Sequence, residues 1–513
     1  MTLRQKLLSG AVLLGVSSLL SRLLGLLRDR LFATTFGAVT ADGIHNLDTY
    51  YAAFRLPDML FQLLLYGVIS ASFIPIFSAY IKKDKAEEGW AFANSCTTIL
   101  TTFLFGVVIL SLIFAPWLVK LIVPGFSQEK LDLTVNLTRI MLISPLFFGF
   151  SSIWQSIQNS FGKYFYIALA PVVYNLSIIL ATIIGAKEYG VYAITVGVVI
   201  GAFLHAAVQF PEIIRLGFRF MPNWNWRRGD LKEMGKLIIP RVVGLSVMQI
   251  NLVVDTIIGS TLATGSITVL NYAINLNSLP MGIIGISISI VAFGVFAELA
   301  ALEEHEKFFD HLKENFYKII YLIIPAAVGM IILKKEIVGV ILSGGKFGEQ
   351  DIVLTAGTLG ILSIGLAAQS INPLLSRAYF AYKNTKTPVL ISIFSVVLNI
   401  VFSITLTKIF DFGVYGLATA TSAAGLIQWF LLQAFLKNKL PHKQGKILEF
   451  GKISKIIIAT AVMAAIVFVA KNLIINLAGQ GFISNAIQVA ICGILGLLVY
   501  FASLKILKYK NGI

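Results

Sequence analysis

Fourteen apolar runs, each about as long as a bilayer is thick, follow one another along the 513 residues of this chain. A spanning helix needs about 20 mainly apolar residues. The runs fall near residues 10–36, 47–79, 91–122, 134–161, 165–184, 190–213, 237–263, 267–299, 315–343, 353–379, 386–408, 412–436, 453–476 and 482–505, with short polar or Gly/Pro-containing breaks between them. In hydrocarbon every backbone N–H and C=O must be satisfied within the protein, so only helices and closed barrels cross a membrane. These runs show no period-2 alternation and are too long for barrel strands. With 57% hydrophobic and only 13% charged residues, the chain reads as an all-α integral membrane protein of 14 transmembrane helices, not as a soluble domain.

Arg4 and Lys6 ahead of the first run imitate a secretory signal, but the run continues through Arg22 to Gly37 and thirteen more follow, so it reads as the first helix. Basic residues then orient the chain. With the N-terminus in the cytoplasm, 27 Lys and Arg fall on cytoplasmic tails and loops and 8 on the opposite side. That bias fits the positive-inside rule for an even helix count with both termini cytoplasmic. The net charge of +16 is thus a topological signal facing membrane lipids, and nucleic acid is not expected as a partner. Cys96 and Cys492 lie inside runs, without metal-like or redox-like spacing, and read as small apolar fillers.

Fragments recur at nearly constant separation. Leu56-Pro57 returns as Leu279-Pro280 (offset 223), Gln155-Ser156-Ile157 as Gln369-Ser370-Ile371 (214), Pro171-Val172 as Pro388-Val389 (217), and Gly190-Val191-Tyr192 as Gly413-Val414-Tyr415 (223). The matches keep chain order and place helices 2, 4, 5 and 6 on helices 8, 10, 11 and 12. Two six-helix bundles related by pseudo-twofold symmetry follow, with two C-terminal helices added. Parallel halves about an axis along the membrane normal are a transporter architecture, with the substrate site between them. The expected division is 1–214 for helices 1–6, 215–236 for a cytoplasmic linker, 237–436 for helices 7–12 and 437–513 for helices 13 and 14 with the tail. The aromatic and basic residues of the linker suit a membrane surface.

A charged residue at the centre of a lone spanning helix costs about 2.5 to 3.5 kcal/mol, so such residues normally face a protein interior or a water-filled cavity. Helix 1 carries Arg22, Arg28, Asp29 and Arg30, and helix 2 carries Asp48, Arg55 and Asp58. Arg22 and Asp29 share a helix face, while Arg28 is rotated from Arg22 by about 120°. The set makes no single stripe; part of it is expected to line a cavity and part to pair. Arg55 and Asp58 can pair with each other beside a kink at Pro57. Asp255 in helix 7 can bind a cation, titrate or pair with an arginine, with an ordinary interhelical hydrogen bond as the alternative. His205 reads as a packed polar residue, Gly282 and Gly285 as points of close helix packing, and Glu303, Glu304, Glu306 and Asp310 as a solvated helix face.

Arginine lining suits an anion, because a guanidinium offers planar, paired donors to phosphate and keeps its charge when desolvated. A lipid-linked phosphate or diphosphate fits better than an organic cation. Gly344-Gly345-Lys346-Phe347 lacks the spacing and the Ser/Thr of a phosphate-binding loop, and the sequence has no paired-His metal motif or nucleophile elbow. The chain therefore reads as a transporter rather than an enzyme. Its energy would come from gradients, where one charge crossing 100 mV supplies about 2.3 kcal/mol.

The run SRLLGLLRDRLFATTFGA, then Asp48, AAFRLPD and ASFIPIFSAY, resembles the start of the MurJ (MviN) lipid II flippases of the bacterial cell-wall pathway. The likeness returns in Gly345-Lys346-Phe347 and in Lys386-Thr387-Pro388-Val389, and so covers essentially the whole chain. That family belongs to the multidrug, oligosaccharidyl-lipid and polysaccharide exporter superfamily. The resemblance implies alternating access in the bacterial cytoplasmic membrane. Lipid II, an undecaprenyl diphosphate carrying a disaccharide-pentapeptide, would pass from the inner to the outer leaflet through a cationic cavity, with its tail along helices 13 and 14.

By the same resemblance Arg22 and Arg28 are substrate-binding residues, and Asp29 and Asp48 serve gating or charge pairing; Arg55 and Asn275 are the further substrate-binding candidates. Asp255 and Asn372 are candidate ligands for Na+, which together with the membrane potential is the driving force to consider; no other cofactor is implied. Other cell-wall synthesis proteins are candidate partners. Two positions depart from the family pattern: Phe61 and Asn275 stand where relatives carry cavity arginines, so Arg55, Arg241 or Asn275 would have to compensate, or the substrate differs. The competing readings are a flippase for another polyprenyl-linked saccharide and a drug or cation antiporter. A membrane lipid-phosphate enzyme and a non-transporting scaffold for cell-wall enzymes are the readings from other classes.

Overall fold

Apolar runs without water to bond close their hydrogen bonds within themselves. The computed structural model describes residues 3–39, 46–64, 68–436, 449–478 and 481–509, with the side chain of Arg241 outside that description. Among the described residues no strand forms, and one isolated bridge joins Gly344 and Phe347. Among the described residues ten helical spans are long and apolar enough to cross a bilayer, or eleven if a pair bent by 44° counts as one. Two compact units divide after Gly265.

The first unit holds α1 (Leu3–Phe36), α2 (Leu47–Leu64), α3 (Val68–Lys82), α4 (Ala86–Ile122), α5 (Gln128–Met141), α6 (Ser144–Ser160), α7 (Phe165–Tyr189), α8 (Val191–Ala207), α9 (Phe210–Arg215) and α10 (Gly229–Ser260). The division read from the repeats opens its second bundle at residue 237, within α10. By contact α10 packs on α2, α3 and α4, so the compact boundary falls one helix later. Specific side chains hold it there: Tyr80 donates to Asp230 at 2.9 Å, Arg55 Nε donates to Thr256 at 2.8 Å, and Met234 Sδ meets Cys96 Sγ at 3.2 Å. Cys96 thus fills a buried apolar contact, next to a cluster in which Phe73 stacks on Phe77 and Phe92 at 5.1 and 5.2 Å.

The segment before α10 is pinned by its backbone and exposed by its side chains. Asn94 of α4 donates to Arg219 O at 3.1 Å and accepts from Met221 N at 2.9 Å, and Thr98 accepts from Asn223 N at 3.0 Å. Phe220, Met221, Trp224 and Trp226 are left exposed, the arrangement of an interfacial aromatic belt.

The second unit holds α11 (Ser266–Pro280), α12 (Ser287–Ala301), α13 (His305–Ile332), α14 (Lys334–Leu342), α15 (Glu349–Ile364), α16 (Leu366–Ala381), α17 (Lys386–Ile404), α18 (Gly413–Leu436), α19 (Phe450–Ala478) and α20 (Phe482–Ile506). Widened π turns at Met281–Ile286 and Thr405–Ile409 continue α11 and α17. The first follows Pro280, whose missing N–H breaks the regular ladder. At Gly285 an added Cβ would stand 2.7 Å from Ser370 O, so close packing does require glycine there. The bent pair is α15 with α16.

The hairpin of α19 and α20 is fastened to α13 and α14 near both ends. Lys471 pairs with the buried Glu336 at 2.9 Å and donates to Ile332 O at 2.9 Å. At the other end Glu449 pairs with Lys313 and with Lys452, its N–H reaches Tyr317 Oη at 2.6 Å, and Tyr500 donates to Tyr321 O at 2.7 Å.

Removing one partner of a buried pair leaves an uncompensated charge, at a cost of about 3 to 5 kcal/mol. Lys471→Met is therefore expected to lower the melting temperature of the purified chain clearly, and Lys471→Met with Glu336→Met to restore most of the loss. The half-buried latches at Asp230 and Glu449 respond to acid. Burial pushes the Asp230 carboxyl up, but its hydrogen bonds from Arg228 and Tyr80 hold it below the ordinary aspartate value. The Lys313 hydrogen bond leads in holding Glu449 below the ordinary glutamate value. A depressed folded pKa stabilises fully above the unfolded value and is lost as pH falls through the folded one. Thermal stability should therefore be indifferent to these groups at neutral pH and fall below about pH 4, and Asp230→Asn should lessen that fall.

Candidate functional site

A cavity of about 780 Å³ lies within the first unit, walled by α1, α2, α6, α7 and α8. Its volume is that of a small-molecule site. Along α1 the lining positions are Leu14, Ser17, Ser18, Ser21, Arg22 and Arg28, a helical stripe in which the two arginines sit on opposite flanks. Arg22 and Arg28 therefore meet one cavity although their Cα–Cβ directions differ by about 120°, because a long stem carries each guanidinium round the helix.

Asp29 is 3% exposed and is not among the lining residues. Arg28 Nε and Nη2 both donate to Asp29 Oδ1, at 3.1 and 2.9 Å, and the Arg28 guanidinium lies 5.7 Å from the ring centre of Phe32. From α7, Asn175 Oδ1 is 3.5 Å from Arg28 Nη1, while its amide donates to Ser21 Oγ at 3.1 Å and Pro171 O at 3.0 Å. The guanidinium is thus oriented by two helices besides its own side-chain rotamer.

Helix α2 supplies Phe54, Pro57, Asp58 and Phe61 to the wall. Pro57 cannot donate to Ala53 O, and Thr138 Oγ1 of α5 approaches that carbonyl at 3.4 Å instead. Arg55 reaches Thr256 of α10, and Asp58 accepts from Gln62 at 3.4 Å. Phe61, standing where relatives are expected to carry arginine, packs its ring 4.5 Å from Phe148 and makes that stretch of wall aromatic.

Asp255 is buried and accepts from Asn251 at 3.3 Å, and its Oδ1 has no hydrogen-bond partner among the described residues. Asn372 belongs to the second unit, donating to Gly425 O at 3.1 Å and Gln428 at 3.4 Å, with Oδ1 likewise without a partner among the described residues. Asn275 also lies in the second unit, where its carbonyl accepts from Ser278 at 2.7 Å. Of the sequence-predicted set, the structure brings Arg22 and Arg28 to one cavity, with Asp29 bonded to Arg28. Arg55 sits one residue from the α2 lining, and Asn275 and Asn372 are outside the first unit. Among the described residues no cluster of His, Cys, Asp and Glu has metal-binding geometry.

Asp48 forms a separate latch. Buried at the start of α2, it accepts from Gly265 N at 2.6 Å. Gly265 has a φ of +91°, and a Cβ there would stand 2.7 Å from Ala38 O, so both backbone and space demand glycine. Close by, Gly125 N donates to Ser260 Oγ at 3.3 Å and Lys130 donates to Thr264 at 3.0 Å. Sequence reasoning passed over Asn175, Thr256 and Gly265. The only signal for the first was an Asn four residues after Pro171, and the other two act through partners far away in the chain.

A family model described as lipid II flippase MurJ matches residues 32–487. A probable lipid II flippase MurJ of Buchnera aphidicola subsp. Acyrthosiphon pisum is 31% identical over 477 residues, covering 90% of each chain. A probable lipid II flippase MurJ of Vibrio cholerae serotype O1 is 30% identical over 458 residues, 86% of this chain and 84% of that one. Among solved structures, a lipid II flippase MurJ in an inward closed conformation matches with a TM-score of 0.79 at 29% identity, over 96% of this chain and 98% of that one. An inward-facing multidrug resistance MATE family transporter of the MOP superfamily matches with a TM-score of 0.71 at 14% identity, over 82% and 94%, and shares the fold.

Gly265→Ala is expected to destabilise the chain by about 1 to 3 kcal/mol through backbone strain and crowding. Asp48→Ala removes the same latch from its other side. The two losses should fall short of additivity when combined in a double-mutant cycle of thermal or denaturant unfolding.

Proposed function

The chain belongs to the lipid II flippase MurJ family, and from that premise we propose that Arg22 and Arg28 receive the diphosphate of the substrate in the first-unit cavity. The chain is a multi-pass membrane protein that moves lipid II, the lipid-linked peptidoglycan precursor, from the inner to the outer leaflet for cell-wall synthesis. The observation that carries the site is the pair of arginines on one cavity with Arg28 already oriented by Asp29 and Asn175. A guanidinium held in place loses little freedom when it takes a phosphate oxygen, and in a site shielded from water the attraction is strong.

The remaining roles are part of the same proposal. Arg55 would add charge beside α2, and Asn275 is the neutral residue that stands where relatives are expected to carry an arginine. Asp29 sets the Arg28 fork, and the Asp48–Gly265 latch is a contact that alternating access must open and close. Asp255 and Asn372 each carry a buried oxygen without a partner among the described residues, the donor type a hard cation such as Na+ takes. Such an ion would supply a gradient-derived bias, as would the membrane potential. The finer architecture belongs to the same reading: 14 helices, two six-helix bundles with pseudo-twofold symmetry, helices 13 and 14 beside the lipid tail, and both termini in the cytoplasm of a bacterium's inner membrane. Contacts with other cell-wall synthesis proteins would be made from there.

Complementation of a bacterium depleted of its own lipid II flippase tests this, with membrane expression confirmed for every variant. The parent chain should restore growth, and Arg28→Ala should not. Arg28→Lys, which keeps the charge but loses the fork, should rescue weakly. Full rescue by well-expressed Arg28→Ala would remove the anion site from α1.

A further inference from the structure

The cavity has a second wall of different chemistry. On α6 the residues Ser144, Phe148, Ser151, Ser152 and Gln155 face it, and His205 of α8 joins them. These positions recur at helical spacing on one face, and the polar members among them are uncharged amides, hydroxyls and an imidazole. Ser144 is 1% exposed, and its hydroxyl has no hydrogen-bond partner among the described residues. A buried hydroxyl without a partner costs free energy unless something bonds to it, so it is an independent sign of a ligand on this wall.

The hydrogen bonds around His205 determine what it offers. A backbone carbonyl only accepts, so the Gln209 side-chain atom 2.8 Å from His205 O is its NH2 group. That same NH2 donates to Ser151 Oγ at 2.6 Å, while Gln209 Oε1 accepts from Gln158 at 3.1 Å. Ser151 Oγ is thereby an acceptor on that side, and His205 Nδ1, 2.8 Å away, is the acceptor the structure offers its own proton. With the Ser151 proton placed there, Nδ1 is assigned as the accepting nitrogen and Nε2 as the one that carries the ring proton. The ring is further clamped edge-on by Phe148 at 5.3 Å and by Tyr174 at 6.5 Å between ring centres. Tyr174 precedes Asn175, the residue beside Arg28, so His205 stands one side chain away from the arginine wall.

We infer that α6 and α8 form a neutral subsite for the sugar that follows the diphosphate, in which His205 Nε2–H, Gln155 and Ser144 bond hydroxyl or acetamide oxygens. Ser151 and Gln209 are positioning residues that fix the His205 tautomer. The inference rests on the placing of the diphosphate at Arg22 and Arg28. A ligand that satisfies both walls is an anion joined directly to an uncharged, oxygen-rich group, which describes a glycosyl diphosphate and neither a bare lipid phosphate nor a hydrophobic cation.

The test uses the full chain in detergent and two short-chain probes: farnesyl diphosphate, and farnesyl diphosphate carrying an N-acetylhexosamine. Affinities are measured for the parent, Arg28→Ala, His205→Leu, His205→Gln and Ser151→Ala. His205→Leu should weaken the sugar-bearing probe about fivefold to tenfold, the effect of one lost hydrogen bond, and leave farnesyl diphosphate unchanged. His205→Gln, whose amide nitrogen can occupy the place of Nε2, should restore binding of the sugar-bearing probe. Ser151→Ala should act on that probe alone. If Arg28→Ala weakens both probes but His205→Leu does not separate them, the diphosphate site stands and the neutral subsite is overturned. Should Arg28→Ala leave both probes untouched, the placing of the diphosphate itself fails.

Discussion

A guanidinium placed among spanning helices must find a counter-charge and partners for its N–H groups from the protein, and the first unit is arranged around that demand at Arg28. Asp29 supplies the charge from the neighbouring position of the same helix. Asn175 supplies an acceptor from α7, and is itself held by Ser21 and by the carbonyl of Pro171. The polar residues of two helices therefore interlock before any ligand is considered. What remains of the guanidinium faces the cavity, where small hydroxyl-bearing side chains on α1 and α6 keep the space open. Bulky apolar residues at those positions would fill the cavity and expose the arginines to an environment that cannot solvate them.

The membrane class was legible because hydrocarbon imposes one strong rule on backbone polar groups, and apolar run length reports it directly. The charged motif on α1 was legible for the same reason: its cost is high enough to require a purpose. The side-chain geometry was not. An ideal helical wheel separates Arg22 from Arg28, yet side-chain length brings both to one space. Spacing alone allows Arg55 to pair with Asp58, but it gives no sign of the bond from Arg55 to Thr256, some 200 positions on in the chain. The π turn after Pro280 and the Gln158–Gln209–Ser151–His205 chain likewise depend on which helices become neighbours. The division expected from the recurring fragments follows chain order, whereas compactness follows contact, and the two differ at α10. His205 was read as a packed polar residue; it is packed, and it also borders the cavity.

The α19–α20 hairpin carries a consequence for how the second unit can deform. Its ties to α13 and α14 stand near opposite ends of the hairpin, one through Lys471 and Glu336 and the other through the Glu449 cluster. A beam clamped at a single end can swing, but one clamped at two can only travel with its support. The hairpin and α13 should accordingly behave as a single rigid plate, and shape change within this unit is left to joints that lack such fastening: the wide turns at Met281–Ile286 and Thr405–Ile409 and the bend between α15 and α16. An acyl or isoprenyl chain resting against that plate would meet a surface of constant contour while the helices beyond it rearrange.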